Sequence, residues 1–427
     1  MPPVSGGILY STRLILGRPF FRPSRVPSSP PMPPAVRRTI LGLGVSQIIG
    51  WGTTYYLLSL LSGEIGASLG MSTAWVLGGT SLTLGAAALI GPRIGRWQDK
   101  AGSRIVMATG TVIMATGLVV LAYSKGLLSY YLGWAIIGIG SPMTLYSAAF
   151  TALTQMSGTQ ARRAISYLTF MGGLASTLFW PFTAWLMSFL DWRTIILFFA
   201  GLNLAICLPI HLTLLPGRAG KTAHVPAADP VEAGIPAAAF PLAFVLFAAM
   251  LAMNGLIFNS WSLLVFPLLE GLGFAATAAV LVGSMVGVFQ VAGRMGEALL
   301  APRFSIMWTA FVSAAFLPVS FLFLIQAQGS IPIGLAFAVF YGISNGLLTI
   351  ARGGLTLAIF GSRGYGERLN RITVSQNAAG AVAPILGGFL LDRLGAAMLV
   401  DLMLATAGLA LVTMLALRHH CARHGLN

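Results

Sequence analysis

Repeated apolar runs constrain the fold of this chain more than any other feature of its sequence. An α-helix needs roughly 20 apolar residues to cross the hydrocarbon core of a membrane. Twelve runs near that length lie at 39–61, 71–93, 104–123, 127–151, 164–189, 193–215, 241–268, 275–300, 304–325, 331–352, 372–393 and 396–417. The sequence therefore predicts an all-α membrane protein with twelve transmembrane helices.

The composition excludes several other classes of protein. Hydrophobic residues make up 56% of the chain and charged residues only 8%, which is too little polar surface for a soluble domain of this length. The formal charge of +15 would suit a nucleic-acid-binding protein. However, the Lys and Arg residues lie in short runs between the apolar stretches, not on one binding face. We therefore expect a lipid bilayer as the partner and no nucleic acid.

The basic residues also predict the orientation of the chain. Twenty Lys and Arg residues fall in the termini and loops of one side, whereas the other side has Lys125, Arg193 and Arg393. Loops rich in Lys and Arg stay in the cytoplasm during membrane insertion. We expect a multi-pass protein of the bacterial inner membrane with both termini cytoplasmic.

The longest internal connection divides the twelve spans into two sets of six. Residues 216–240 are rich in Pro, Ala and Gly and predict a flexible cytoplasmic linker. It separates an amino-terminal six-helix bundle, 38–215, from a carboxy-terminal one, 241–417, which a cytoplasmic tail of 418–427 follows. The bundles resemble each other weakly, as in "GIGSPMTLYSAAF" and "GISNGLLTIARGG". A parallel repeat of this kind predicts a solute site between two bundles.

Residues 1–37 are rich in Pro and Arg and contain no acidic residue, so we expect a disordered basic segment. Met32 is an equally natural start for the chain. Residues 1–31 are therefore either an over-extended gene start or a basic arm that touches anionic lipid.

The loop after the second span carries a recognisable motif. In "GRWQDKAGSR", Gly95, Asp99, Lys100, Gly102 and Arg104 match the cytoplasmic loop signature of the major facilitator superfamily. An ordinary basic loop would explain the cations but not Asp99. The resemblance implies two six-helix bundles, with this motif as a cytoplasmic gate. We expect Asp99 to cap a helix or pair across the seam between the halves.

Other segments look like the branch of monocarboxylate porters and oxalate/formate antiporters. They are "GWGTTYY", "ARRAISYLTFMGGLASTLFWP" and "GRMGEALLAPRFS". In the oxalate/formate type an arginine after glycine binds the organic anion, so the resemblance implies that role for Arg294. Two departures argue against a dicarboxylate: Pro302 replaces an aspartate in the second copy of the loop motif, and the eleventh span has no lysine. The uncharged fourth span argues against a drug/proton antiporter.

Few charges are expected at membrane depth, where each costs about 2.5–3.5 kcal/mol. Arg294 lies about six residues before the end of its span, and Glu297 follows one turn later on the same face. Either Arg294 binds an anion while Glu297 balances its charge and accepts a proton, or the two belong to an ion pair that joins the halves. We place Arg352 at the cytoplasmic end of the tenth span, where snorkelling or gate pairing is favoured over a substrate contact.

Neutral side chains in the spans that line the cavity of this fold are further candidates for substrate binding. They are Gln47, Trp51, Tyr55, Tyr146, Asn254, Asn259, Gln290, Asn345, Gln376 and Asn377. The alternative for the amides is a hydrogen bond between helices worth about 1 kcal/mol. For the aromatic residues the alternative is packing.

Taken together, these features predict a monomeric secondary active transporter without a cofactor or metal. The expected substrate is a small organic anion, monocarboxylate-like, moved by alternating access and driven by protons. The alternative is an efflux carrier for a toxic small molecule, drug or metalloid oxyanion. An enzyme would need clustered His, Asp or Glu at membrane depth and a sensor would need a soluble domain, and the sequence predicts neither.

Overall fold

The computed structural model describes residues 32–216, 231–300 and 303–426. Within these ranges every regular element is helical and no strand occurs. The fold is therefore all-α, as the apolar runs predict. Most of the predicted amino-terminal segment, 1–37, and most of the predicted linker, 216–240, lie outside the described residues.

Ten α-helices form the amino-terminal half, and several predicted spans there consist of two helices in succession. They are α1 (Pro34–Thr53), α2 (Leu58–Leu69), α3 (Thr73–Ala101), α4 (Ser103–Ala122), α5 (Leu127–Thr144), α6 (Tyr146–Ser157), α7 (Ala161–Gly172), α8 (Ala175–Met187), α9 (Trp192–Leu202) and α10 (Leu208–Leu214). A 3₁₀ turn at Gly158–Gln160 precedes α7, and a π-helical turn at Asn203–Cys207 joins α9 to α10.

Five longer helices form the carboxy-terminal half. They are α11 (Phe240–Gly271), α12 (Ala276–Leu300), α13 (Ile306–Ile325), α14 (Ile331–Phe360) and α15 (Tyr365–Arg423). Gly395, with φ 80° and ψ 172°, interrupts α15 in a conformation that L-residues with a side chain rarely adopt. This kink divides α15 where the sequence separates its last two spans.

Nine helical segments of the described chain are long and apolar enough to cross a membrane. Two of them, Leu127–Met187 and Tyr365–Arg423, each cover two predicted spans. The first predicted span, 39–61, is divided between α1 and α2 and is not among the nine. With these differences, the helices are consistent with the twelve spans that the sequence predicts.

A break between α5 and α6 has a local cause. Pro142 has no N–H to donate to the Gly138 carbonyl one turn earlier, and the Ser141 hydroxyl donates to that carbonyl instead, at 3.2 Å. Three residues after the proline, Leu145 is extended, with φ −80° and ψ −164°. The chain then resumes as α6 at Tyr146, a residue that lines the cavities described below.

The predicted domain boundaries differ from the helix ends at both termini. Helix α1 begins at Pro34, inside the segment predicted to be disordered, and α15 continues through the predicted tail to Arg423. The end of the predicted linker is ordered against the carboxy-terminal half, because Val231 exchanges hydrogen bonds with Ser362 and the Gly234 N–H donates to the Ala358 carbonyl at 3.0 Å.

Most buried apolar clusters belong to one half, but one joins the two. It packs Phe150 and Leu153 of α6 with Tyr365 and Leu369 of α15, and all four side chains are fully buried. Other large apolar side chains point outward, such as Leu128, which is 86% exposed. An apolar exterior suits lipid, and the packed seam holds the halves together at one end.

Candidate functional site

Two adjoining cavities lie between the halves. The first, chamber A, has a volume of about 110 Å³ and is lined by Trp51, Tyr55, Tyr56, Tyr146, Gly172, Asn254, Phe258, Gln290, Arg294, Asn345, Leu348, Thr349, Arg352 and Gln376. The second, chamber B, has about 100 Å³ and is lined by Trp51, Thr54, Tyr55, Thr80, Thr83, Leu84, Ala87, Trp134, Ile137, Ser141, Pro142, Leu145, Tyr146, Ser147, Arg352, Asn370, Thr373 and Asn377. Trp51, Tyr55, Tyr146 and Arg352 line both.

Chamber A brings together most of the residues that the sequence nominates for substrate binding. Arg294, Trp51, Tyr55, Tyr146, Asn254, Gln290, Asn345 and Gln376 line it, and Asn377 lines chamber B. Three nominated residues line neither cavity. They are Gln47, Asn259 and Glu297.

Those three side chains make contacts between or within helices. The Gln47 amide donates to the Thr144 carbonyl at 2.8 Å and holds α1 against the end of α5. The Asn259 amide donates to the Gly255 carbonyl one turn earlier, at 2.9 Å. Glu297 is 5% exposed, and its carboxylate accepts hydrogen bonds from side chains of α7 that are described below.

Arg294 reaches from α12 into the other half and is only 5% exposed. Its Nη1 donates to the Thr169 carbonyl of α7 and its Nη2 to the Thr349 hydroxyl of α14, both at 3.3 Å. A Cβ at Gly173 would lie 2.5 Å from Arg294 Nη1. The glycine after α7 therefore leaves the space that the guanidinium fills.

Arg352 lines both chambers, whereas the sequence favours snorkelling or gate pairing for it over a substrate contact. The tenth span was predicted to end at this arginine, whereas α14 continues to Phe360, about two turns further. Its Nη1 donates to the Gln376 side-chain oxygen at 2.9 Å. The apolar run "LTLAIF" after "ARGG" is the sequence signal that would have placed Arg352 inside the helix.

The charged residues described in the walls of the two chambers are all positive. Arg294 and Arg352 both line chamber A, and the described lining residues of either chamber include no Asp or Glu. In the part of the chain that the structure describes, neither guanidinium has a carboxylate within 4.0 Å. The cavity walls thus carry two cations without an acidic counter-ion.

Several buried hydrogen-bond donors in the wall of chamber A lack an acceptor. Among the described residues, the Arg294 Nε, the Arg352 Nε, the Trp51 Nε1 and the Asn345 Nδ2 have no partner. Buried donors in native proteins are almost always paired. Each of these unpaired groups is a donor, so this wall suits a ligand rich in acceptors.

Aromatic rings form the boundary between the chambers. Trp51 lies with its ring centre 5.7 Å from that of Tyr55 and 5.3 Å from that of Tyr146. Tyr55 also stacks at 6.5 Å on Phe258 of α11, in the other half. These contacts hold the rings of α1 and α6 at the seam, where planar groups can pack on them.

The loop motif lies at one end of the bundle, which we call the Asp99 end. The Asp99 carboxylate accepts hydrogen bonds from the backbone N–H groups of Gly366 at 3.0 Å and Glu367 at 2.8 Å. It therefore caps the first turn of α15, in the other half, where an anion is stabilised by the helix dipole. A Cβ at Gly95 would collide with the Gly366 backbone, so α3 and α15 touch directly.

The other motif residues act within the amino-terminal half. Gly102 joins α3 to α4 at φ 85°, a conformation that favours glycine. The Arg104 Nε donates to the Leu215 carbonyl at 2.8 Å, and Lys100 is exposed. The neighbouring Gln98, which the motif does not include, is buried and donates to the Ala148 carbonyl at 2.8 Å.

A second set of contacts joins the halves near the Asp99 end. Arg162 of α7 donates to the Phe304 carbonyl at 2.6 Å and to the Glu297 carboxylate at 3.1 Å. The Ser166 hydroxyl donates to the other Glu297 oxygen at 2.5 Å. Glu297 thus pairs with Arg162 and not with Arg294. Sequence reasoning missed Arg162 because its partner lies in the other half of the chain.

Comparison with known families decides the identity. The sequence profile of the Major Facilitator Superfamily matches residues 40–351, which is more than half of the chain. The chain belongs to the Major Facilitator Superfamily. It is therefore a secondary transporter with several membrane-spanning helices, and not an enzyme. A comparison with curated protein sequences gave no match.

Solved transporters of this superfamily share the fold. The human organic anion transporter MFSD10 (TETRAN) superposes with a TM-score of 0.68 at 16% identity, covering 90% of this chain and 100% of that chain. The proton:xylose symporter XylE superposes with a TM-score of 0.70 at 13% identity, covering 90% of this chain and 95% of that chain. At sequence identities of 16% and 13%, the similarity to these two transporters is one of fold alone.

Proposed function

We propose that this superfamily member carries a small organic anion across the bacterial inner membrane by alternating access, with Arg294 and Arg352 as its charge anchors. One observation carries the proposal: two arginines line chamber A, and no described residue of its wall is acidic. The substrate that the sequence favours, a monocarboxylate-like anion, fits this wall.

The energetics of a buried cation support an anionic ligand. A guanidinium at membrane depth is costly, about 2.5–3.5 kcal/mol on insertion scales, and neutral carbonyl or hydroxyl partners compensate it only in part. Arg294 has two such partners, Thr169 and Thr349. A carboxylate would supply the missing opposite charge and accept from the unpaired N–H groups. The organic anion transporter MFSD10, with the same fold, is in line with this choice.

The contacts at the Asp99 end support a conformation closed on that side. Asp99 caps α15, and Arg162 pairs with Glu297, so both links cross the seam between the halves. The excess of Lys and Arg on the same side argues that it faces the cytoplasm. Inward release of the substrate would then require both links to open, which is what alternating access demands.

Transport by reconstituted vesicles tests the anchors. We expect Arg294→Ala and Arg352→Ala each to abolish saturable uptake of carboxylates, because removal of one cation halves the positive charge of the site. Arg363→Ala is the matched control, since Arg363 is exposed and lines neither chamber. Full uptake by both anchor variants would overturn the proposal.

Efflux of a toxic compound is the second candidate, because the same four N–H donors suit a metalloid oxyanion as well as a carboxylate. The direction can be measured in inside-out vesicles. Accumulation of arsenate in such vesicles, without accumulation of carboxylates, would favour efflux over uptake. Uptake of carboxylates by cells, lost in Arg294→Ala, would favour the first candidate.

A further inference from the structure

Chambers A and B are lined by different kinds of side chain, and this difference narrows the class of substrate that can bind. We infer that the substrate is a monocarboxylate with a flat, largely apolar ring, such as an arylalkanoate, whose carboxylate lies in chamber A and whose ring lies in chamber B. The inference rests on the proposed function, because it assumes an anionic substrate at Arg294 and Arg352.

The unpaired donors of chamber A match one carboxylate. An ionised carboxylate has two oxygens with about four lone-pair sites. Four N–H donors of the described wall lack an acceptor: two arginine Nε groups, the Trp51 indole and the Asn345 amide. Arg294 and Asn345 are 5% and 9% exposed. One carboxylate in chamber A therefore has enough acceptor sites for these donors and carries the charge opposite to that of Arg294 and Arg352.

Chamber B has no charged residue of its own among its described lining residues, because Arg352 is shared with chamber A. Five of the six hydroxyl side chains of its wall, apart from the shared tyrosines, donate their proton to a backbone carbonyl. They are Thr54, Thr80, Thr83, Ser141 and Thr373, with donor–acceptor distances from 2.5 to 3.2 Å. A hydroxyl has one proton to donate, so these groups present methyl groups or acceptors. These five hydroxyls would therefore not donate a hydrogen bond to a second carboxylate.

Apart from the Asn370 and Asn377 amides and the unpaired Trp134 Nε1, the rest of the described wall of chamber B is apolar, and its boundary with chamber A is aromatic. Leu84, Ala87 and Ile137 line it together with the indole of Trp134. Trp51 and Tyr146, 5.3 Å apart between ring centres, separate it from chamber A. Aromatic walls favour flat apolar groups through offset or edge-on contacts worth about 0.5–1.5 kcal/mol each. A flat body attached to the carboxylate would pack against the sides of these rings that line chamber B.

Binding measurements on the purified transporter test the inference. The probes are acetate, 3-phenylpropionate, the neutral 3-phenylpropionamide and the dianion terephthalate, titrated calorimetrically. We expect 3-phenylpropionate to bind at least about tenfold more tightly than acetate, because its ring buries apolar surface. We expect the amide to bind weakly. Equal affinities for acetate and 3-phenylpropionate, or tighter binding of terephthalate, would overturn the inference.

Filling chamber B provides a second test. Ala87→Leu and Leu84→Phe should each reduce the affinity for 3-phenylpropionate about tenfold while acetate binding stays unchanged. Ala74→Leu is the matched control, an exposed position on the same helix. Retained acetate binding shows that the variants are folded. An equal loss for both carboxylates in both filled variants would contradict the two-chamber assignment.

These outcomes separate the inference from the proposed function. If acetate and 3-phenylpropionate bind with equal affinity and both require Arg294, the proposed anion transport holds and the inferred aromatic ring of the substrate is wrong. If the neutral amide binds as tightly as the acid, or if Arg294→Ala binds every carboxylate normally, the proposed function itself fails.

Discussion

The Glu297 carboxylate of α12 accepts a hydrogen bond from the Arg162 guanidinium of α7 at 3.1 Å, and the pair joins the two halves of the transporter. The glutamate side chain is 3% exposed and the arginine side chain 24%. Arg294 lies one turn before Glu297 on the same helix. Helix α12 therefore carries both Arg294, which we propose as a charge anchor, and a contact that joins the halves near the Asp99 end.

This pair predicts unequal effects of single and double substitutions. Glu297→Ala leaves Arg162 without a described carboxylate partner, so it should destabilise the protein more than Arg162→Ala together with Glu297→Ala. A double-mutant cycle on the free energy of unfolding in detergent should give a coupling of about 1–3 kcal/mol. A coupling near zero would mean that the contact does not hold the halves together.

Loss of the Asp99 cap should open the same end of the molecule. Asp99→Ala removes the acceptor for two N–H groups of α15, and we expect faster labelling of a cysteine introduced at Gln376 by a reagent applied from the side of the Asp99 end. Asp99→Asn keeps one acceptor oxygen and should give a smaller increase. The control is Asp401→Asn, at an exposed position on α15. Unchanged labelling in Asp99→Ala would count against its closing role.

A methyl group at Gly173 should displace the Arg294 guanidinium. Gly173 has φ −66°, which alanine adopts readily, but its Cβ would lie 2.5 Å from Nη1. We expect Gly173→Ala to weaken carboxylate binding about tenfold to a hundredfold, the range for loss of a hydrogen bond to a charged group. Gly201→Ala is the matched control, because a Cβ there meets nothing within 4 Å. Equal affinities for the two variants would contradict the geometry.

Proton coupling predicts a dependence on the proton gradient. Uptake into vesicles should fall to the passive level when a protonophore collapses the gradient. Glu297→Gln should then transport without response to the protonophore if this carboxylate is the proton acceptor. Full uptake by the parent protein in the presence of the protonophore would exclude a proton drive.

Hydrophobic length was enough to predict the helical architecture, because each membrane crossing needs a run of apolar residues wherever its neighbours lie. Arg294 was identifiable for a related reason: a cation in the middle of such a run is rare. The predicted end of the tenth span, at residue 352, differs from the end of α14 at Phe360, because a span was assumed to stop at its first charged residue. Arg352 is instead compensated inside the helix bundle by Gln376, a contact that depends on tertiary structure.

Contacts across the seam could not be predicted from local pattern. Arg162 and Glu297 are 135 positions apart, and Asp99 and Gly366 are 267 apart. Each pairing depends on how the two halves pack, which hydrophobic periodicity does not specify. The breaks within the first, fourth and fifth spans also escaped prediction, although Pro142 and the Gly172 and Gly173 pair lie close to two of them.

Direct binding of a carboxylate to the purified transporter tests the central claim most directly. Calorimetric titration should give saturable binding to the parent protein and to Arg363→Ala, and no measurable binding to Arg294→Ala combined with Arg352→Ala. The thermal midpoint of the double variant, measured in parallel, should show that it remains folded. Unchanged carboxylate affinity in the folded double variant would contradict the account.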